Sequence, residues 1–143
     1  MGIVYTNEIS VAHYNALRQS AGWQTIHPVQ AADGLNGSAL LVAAYDGARA
    51  VGVARLVWDG GYAALVKDVL VLPEYQGQGI GTEMMQQILQ FLRSKLQPGY
   101  LLQIDLMAAI GKEGFYEKLD FEARPRSNRG AGMDLWLRGA APL

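Results

Sequence analysis

Apolar runs of strand character alternate along the chain with stretches of helical period. Residues 3–5 read as a first strand. Ser10 then stands as the cap of a helix that carries Val11, Tyr14, Leu17 and Arg18 toward Ser20. Pro28 sets the first turn of a second, short helix ending near Gly34 or Gly37. Residues 39–45 and 48–58 are apolar strands joined by Asp46-Gly47, a strong hairpin signal, and Asp59-Gly60-Gly61 turns the second of them into a strand over 62–72. These strands form an antiparallel meander. From Gly79 to about Leu96, Ile80, Met84, Ile88, Phe91 and Leu92 fall on one stripe, so this helix packs on the sheet with its methionines in the core and stops before Pro98-Gly99. A strand over 100–107, a helix over 112–119 and strand pieces around Phe121 and over 133–137 complete the order β-α-α-β-β-β-α-β-α-β-β. The predicted class is α+β, a mixed and mostly antiparallel sheet with helices on both faces in α/β/α layers, as one domain over residues 1–143.

The most specific segment runs from Val69 to Thr82 as Val-Leu-Val-Leu-Pro-Glu-Tyr-Gln-Gly-Gln-Gly-Ile-Gly-Thr. A buried-strand pattern breaks there into a glycine-rich turn and continues as a helix. Such a junction aims the first unpaired N–H groups of the helix outward, where the macrodipole also favours negative charge, and glycines let a diphosphate approach the backbone. The implied ligand is a nucleotide-like cofactor. A dinucleotide fingerprint does not fit, because it needs a glycine where Thr82 stands and an acidic residue about 20 positions on, in what is here a helix rich in Gln and Met. A Walker-type loop does not fit either, since Gly81 is followed by Thr82 and Glu83 instead of a Lys-Ser or Lys-Thr pair. What remains is Gln76, two residues, Gly79, one residue, Gly81.

That loop resembles the pyrophosphate loop of the GNAT superfamily of acetyl-coenzyme A-dependent N-acetyltransferases. The apolar strand ending in Leu72-Pro73-Glu74-Tyr75 precedes it in the family's manner, and Gly114-Phe115-Tyr116-Glu117-Lys118-Leu119-Asp120-Phe121 is similar to the family's second cofactor segment. The resemblance is close from Tyr62 to about Arg124. It implies acetyl-CoA as acetyl donor, held by the backbone of Gly77, Gln78, Gly79, Ile80, Gly81 and Thr82, with Gln76 ordering the loop. It also implies that the strand edge at Val69 and Val71 pairs with the pantetheine arm, the Val71 N–H polarising the acetyl carbonyl.

Acyl transfer from a thioester to an amine needs a base for the amine, a donor for the developing oxyanion and an acid for the departing sulfur. Tyr116 matches the family's tyrosine near that sulfur and is the candidate acid. For the base, strict alternation puts Leu65, Lys67, Val69 and Val71 on one face of their strand and Val66, Asp68, Leu70 and Leu72 on the other. Asp68 is the acid within that strand and the first candidate, with a structural pairing to Lys67 or Arg55 as its other reading. Asp105 in the next strand is the second candidate, and water the third. Two positions the family commonly uses for a base are Leu65 and Lys67 here, and the asparagine that often meets the pantetheine arm is replaced at about Ala109. Lys118 reads as a solvent-facing helix lysine, with a cofactor phosphate as the other option.

Composition narrows the setting. Over 143 residues, 12 basic and 13 acidic side chains give a net charge of −1, so nothing argues for nucleic acid or an anionic membrane surface. There is no cysteine, which removes disulfides, thiolate metal sites and a cysteine nucleophile together, and no metal is expected. No signal-peptide pattern or span-length apolar run is present, so a cytoplasmic location is expected. Trp23, His27, Tyr62, Met133 and Trp136 are candidates for the acceptor pocket. The run Phe121-Glu122-Ala123-Arg124-Pro125 followed by Gly130-Ala131-Gly132-Met133 resembles small bacterial GNAT proteins and plant relatives that acetylate arylalkylamines, which implies a small primary amine as acceptor. A noncatalytic acyl-CoA sensor and a protein lysine or N-terminal acetyltransferase are the alternatives. An exposed C-terminal strand edge would be open to pairing in a homodimer.

Overall fold

A computed structural model of the chain describes residues 2–140. The chain divides into two compact units, Met1–Leu106 and Met107–Leu143. The first unit holds β1 (Val4–Thr6), α1 (Val11–Ser20), α2 (Pro28–Asn36), β2 (Leu40–Asp46), β3 (Arg49–Trp58) and β4 (Ala63–Val71), then a 3-10 turn over Pro73–Tyr75, α3 (Ile80–Lys95) and β5 (Gln103–Asp105). The five strands lie in the order β1-β2-β3-β4-β5. The first three pairings are antiparallel and β4–β5 is parallel. The meander and the mixed α+β class are therefore as the sequence predicts.

Local signals account for the helix starts. The Ser10 hydroxyl accepts from the His13 N–H at 3.0 Å, so one orphan donor of α1 is satisfied. Pro28 occupies the first turn of α2, and His27 caps it by accepting from the Val29 N–H at 3.2 Å.

The two faces of the sheet can be read from β3. A Cβ added at Gly52 would lie 3.2 Å from Met84 and 3.3 Å from Ile80, and Trp58 packs edge-on to Phe91, so Gly52, Ala54, Leu56 and Trp58 face α3. Arg55 points the other way and donates to the Gly34 carbonyl of α2 at 3.1 Å. Helices thus cover both faces. Val42, Ala54 and Leu56 are buried with Met84, Met85, Ile88 and Leu92 of α3, confirming the methionines as core. Among the described residues, no helix is long and apolar enough to cross a membrane.

Several boundaries differ from the sequence expectation. The strand expected over 100–107 keeps ladder pairing only at β5, where Gln103, Ile104 and Asp105 meet Ala63, Ala64 and Leu65. In the second unit the helix expected over 112–119 is α4 (Glu113–Glu117). The strand pieces expected around Phe121 and over 133–137 are not strands, and the only pairing in residues 107–140 is the isolated bridge between Arg126 and Arg129. Met133, Leu135, Trp136 and Leu137 are exposed. The apolar residues at 135–137 are consecutive instead of alternating, so no buried face is encoded, and a strand has no stability apart from its ladder.

Gly52 tests the packing of α3 on the sheet. A side chain there also meets the Leu70 carbonyl at 3.1 Å, an atom of the backbone ladder that cannot swing aside. Gly52→Val is expected to lower unfolding free energy by about 1–3 kcal/mol, the usual range for overpacking a core. Urea denaturation measures it, and an unchanged midpoint would show that α3 is loosely seated.

Candidate functional site

The glycine loop forms as its sequence requires. Gly77 and Gly79 have φ of +79° and +85°, a region that side-chain-bearing residues rarely enter. A Cβ at either position would meet nothing within 4 Å, so the loop backbone borders open space. Gly79 is the cap residue of α3, and no side chain caps this helix start. The N–H groups of the first turn, at Ile80, Gly81 and Thr82, are thus left to a ligand or solvent, with the positive end of the helix dipole behind them. Gln76 Nε2 donates to the Val71 carbonyl at 3.0 Å and so fastens the loop to the end of β4.

The adjoining strand edge is open. β4 pairs with β5 only from Ala63 to Leu65, so beyond Leu65 its outer edge, which includes Val69 and Val71, has no neighbouring strand among the described residues. The Leu72 N–H donates to Val51 of β3 at 2.9 Å. By alternation the Val71 N–H points away from β3, toward the open edge. The glycine loop and this edge are contiguous in one unit, as a ligand reaching from a phosphate cradle to a strand would need.

Tyr116 lies in the second unit, on α4. Its helix ends through Asp120, whose φ is +72°, with the Asp120 N–H donating to Glu117 O and the Phe121 N–H to Tyr116 O. This is a Schellman ending, and it brings Phe121 back onto the Tyr116 ring, edge-on with centroids 6.0 Å apart. Phe115 flanks the ring at 4.9 Å. The ring is buried, and burial pushes the phenol up to about 12, so it keeps its proton throughout the neutral range.

The sequence profile of the acetyltransferase (GNAT) domain matches residues 36–123. The chain belongs to the GNAT acetyltransferase family. It is 32% identical over 115 residues to a soybean (Glycine max) protein named histone acetyltransferase TAP1, covering 80% of this chain and 45% of that one. It is 38% identical over 82 residues to a rice (Oryza sativa) serotonin N-acetyltransferase 2, covering 57% of this chain and 39% of that one. The chain thus spans less than half the length of these plant relatives. A solved structure from methicillin-resistant Staphylococcus aureus, described as a probable acetyltransferase, superposes with a TM-score of 0.85 at 27% identity, over 95% of this chain and 100% of that one.

In this GNAT chain the acidic candidates sit in contrasting places. Asp68 is buried, and its carboxylate accepts from Tyr14 Oη at 2.6 Å, Arg18 Nη1 at 2.8 Å and Arg55 Nε at 2.9 Å. The Tyr14 phenol is pushed up to about 12, by burial first and then by its bond to this carboxylate. Asp68 has a φ of 56° and lies at a bulge: Val53 pairs with Leu70 and Arg55 with Lys67, so two steps on β3 answer three on β4. The bulge breaks the alternation expected through this strand. Val66, opposite Leu56, faces α3, whereas Asp68 reaches α1 on the other face and Leu70, opposite Val53, also faces that way. Lys67 is exposed and is not the partner of Asp68.

Asp105 is exposed and stands opposite Leu65, the last pair before β4 and β5 part. Leu65 pairs with Val57, on the Arg55 side of β3, so Asp105 occupies the fork on the face covered by α1 and α2. The sequence pattern contained Arg18 without showing its role. Its signal is a charge on the buried stripe of α1, beside Tyr14 and Leu17.

The acceptor-pocket candidates are scattered. His27 is exposed and caps α2, and Trp23 is half-buried with the Arg18 guanidinium 5.5 Å from its ring. Tyr62 is exposed in the turn before β4, where its carbonyl accepts from the Gln103 N–H. Met133 and Trp136 are exposed in the second unit, and Ala109 precedes α4 there. A cavity of about 1,020 Å³ lies elsewhere in the first unit, lined by Ile9, Leu35, Leu41 and Tyr45, and it contains none of the loop or strand-edge residues.

Asp68→Asn is expected to cost about 3–5 kcal/mol, because Arg18 and Arg55 would keep their burial and lose the compensating charge. Asparagine tolerates the left-handed backbone at this position, so the loss would report the ion network instead of the bulge geometry. Chemical denaturation checks it, and a loss below about 1 kcal/mol would mean solvent compensates the arginines.

Proposed function

We propose that this chain transfers the acetyl group of acetyl-CoA to a small primary amine, with arylalkylamines as the favoured acceptor class. The carrying observation is the uncapped start of α3 behind Gly77 and Gly79, continuous with the open β4 edge at Val71. The donor groups fit the cofactor: N–H groups and a helix dipole suit a diphosphate, and an unpaired strand edge suits an amide-bearing arm. When bound, acetyl-CoA supplies an acetyl group activated as a thioester. The acceptor class draws on the rice relative, named for serotonin N-acetylation.

The residues then divide the work. Gly77, Gln78, Gly79, Ile80, Gly81 and Thr82 hold the diphosphate through their backbone, and Gln76 keeps the loop on β4. Val69 and Val71 align the arm, and the Val71 N–H donates to the acetyl oxygen as negative charge develops on it. Tyr116 gives its proton to the departing sulfur, for which a phenol that stays protonated at neutral pH is suited. Asp68 is poorly suited to accept a proton, since both of its oxygens are engaged with cations and a phenol. Asp105, exposed at the fork, takes the proton of the amine directly or through water. The second reading is a protein lysine acceptor, favoured by the soybean relative's name. An amine panel that includes a histone-tail peptide separates the two.

Calorimetry with acetyl-CoA is the direct test. Wild type is expected to bind, and Gly79→Asp, which strains a backbone at φ +85° and places a negative charge on the cradle, is expected to abolish binding while remaining folded. No binding by wild type would remove the acetyl-CoA reading.

With an acceptor in hand, Tyr116→Phe is expected to lower kcat by roughly 10²- to 10⁴-fold with acetyl-CoA affinity retained. Unchanged kcat would take Tyr116 out of the mechanism and leave its ring as packing.

A further inference from the structure

The turn that enters the glycine loop is tied to a distant hairpin by side chains that acyl transfer does not use. Tyr75 Oη donates to Asp46 Oδ2 at 2.5 Å. Arg49 Nη2 donates to Glu74 Oε1 at 2.6 Å, and the Arg49 guanidinium lies 5.7 Å from the centre of the Tyr75 ring. Asp46 ends β2 and Arg49 begins β3, whereas Glu74 and Tyr75 belong to the 3-10 turn just before Gln76. Each of two adjacent turn residues is therefore bonded to one side of the β2–β3 hairpin. Further in, Gln78 Nε2 donates to the Glu74 carbonyl at 3.4 Å, so the tie reaches the loop itself.

The loop has a physical need for such a tie. Two glycines at positive φ, bordered by open space, lose much backbone entropy when held in one conformation, and a ligand that had to order them would bind correspondingly less well. An exposed ion pair alone contributes little, and Arg49 and Glu74 are both about half exposed. Here the same arginine also stacks on a tyrosine whose hydroxyl is bonded to a third element, and a shared network fixes geometry better than an isolated pair.

We propose that Asp46, Arg49, Glu74 and Tyr75 form a clamp that orders the glycine loop in advance for the diphosphate of the acyl donor. Tyr75 and Asp46 are then positioning residues for cofactor affinity. The proposal rests on the acyl-CoA reading above. Because the clamp acts on the loop alone, it strengthens binding of a donor that carries the diphosphate and leaves a donor that lacks it unaffected.

Two measurements on wild type, Tyr75→Phe and Asp46→Asn test it. Amide hydrogen exchange on the unliganded proteins is expected to speed up about 5- to 30-fold at residues 77–82 in both variants, the factor that corresponds to one or two kcal/mol, with α3 beyond its first turn unchanged. Titration is expected to show acetyl-CoA bound about 5- to 30-fold more weakly by the variants, and S-acetylpantetheine, which lacks the diphosphate, bound within about twofold of wild type. Equal weakening for both donors, or faster exchange throughout the sheet, would mark general destabilisation and overturn the clamp. Variants that match wild type in exchange and in acetyl-CoA affinity would overturn it as well, with the acyl-CoA reading intact. A wild type that binds no acetyl-CoA would instead overturn that reading, and the purpose of the clamp with it.

Discussion

Two guanidinium groups and a phenol converge on the carboxylate of Asp68, and none of these groups can be left alone once buried. Arg18 and Tyr14 come from α1, Arg55 from β3 and Asp68 from β4, so only one seating of the helix on those strands satisfies all of them. Desolvating such a cluster is costly, and its net contribution to stability is small beside the cost of breaking it. What it provides is a fixed register. A slip of α1 by one residue would leave an arginine uncompensated, whereas slipping an apolar stripe would cost only contact area.

The same carboxylate sits at the β4 bulge, where the backbone enters the left-handed region that Asp tolerates better than most residues. Before the bulge β4 pairs with β5, and beyond Leu65 that outer edge is unpaired. A regular strand would invite pairing along its whole length. A bulged strand with a short partner offers main-chain donors such as the Val71 N–H at one end of the sheet, next to the glycine loop. The region proposed to hold the donor thus consists mainly of backbone groups: a helix start that no side chain caps and a strand edge that, among the described residues, no strand covers. Both are normally satisfied in folded proteins, and their occurrence side by side is what gives the region its chemical meaning.

Much of this was legible in the residues. Ser10 and Pro28 begin their helices, Asp46-Gly47 turns the hairpin, and Gln76 through Thr82 form a glycine loop at a helix start, because capping, turn formation and positive φ depend on residues close in sequence. The buried methionines of α3 followed from helical period alone. The strands expected around Phe121 and over 133–137 did not form, since apolar composition signals affinity for a ladder and cannot supply the partner.

By itself, then, the sequence determined the family, the mixed α+β class, the order of the first unit's elements and the glycine loop at the start of α3. Tertiary structure alone decided which acid is sealed and which is open: Asp68, the obvious acid of β4, is enclosed by Arg18, Arg55 and Tyr14, while Asp105 stands exposed where two strands part. It also decided the face to which Asp68 points, because a bulge shifts the twofold period and is set by pairing with β3. The residues that enclose Asp68 lie 13, 50 and 54 positions from it along the chain. No local pattern encodes a charge balance across such distances; it exists only once the chain has folded.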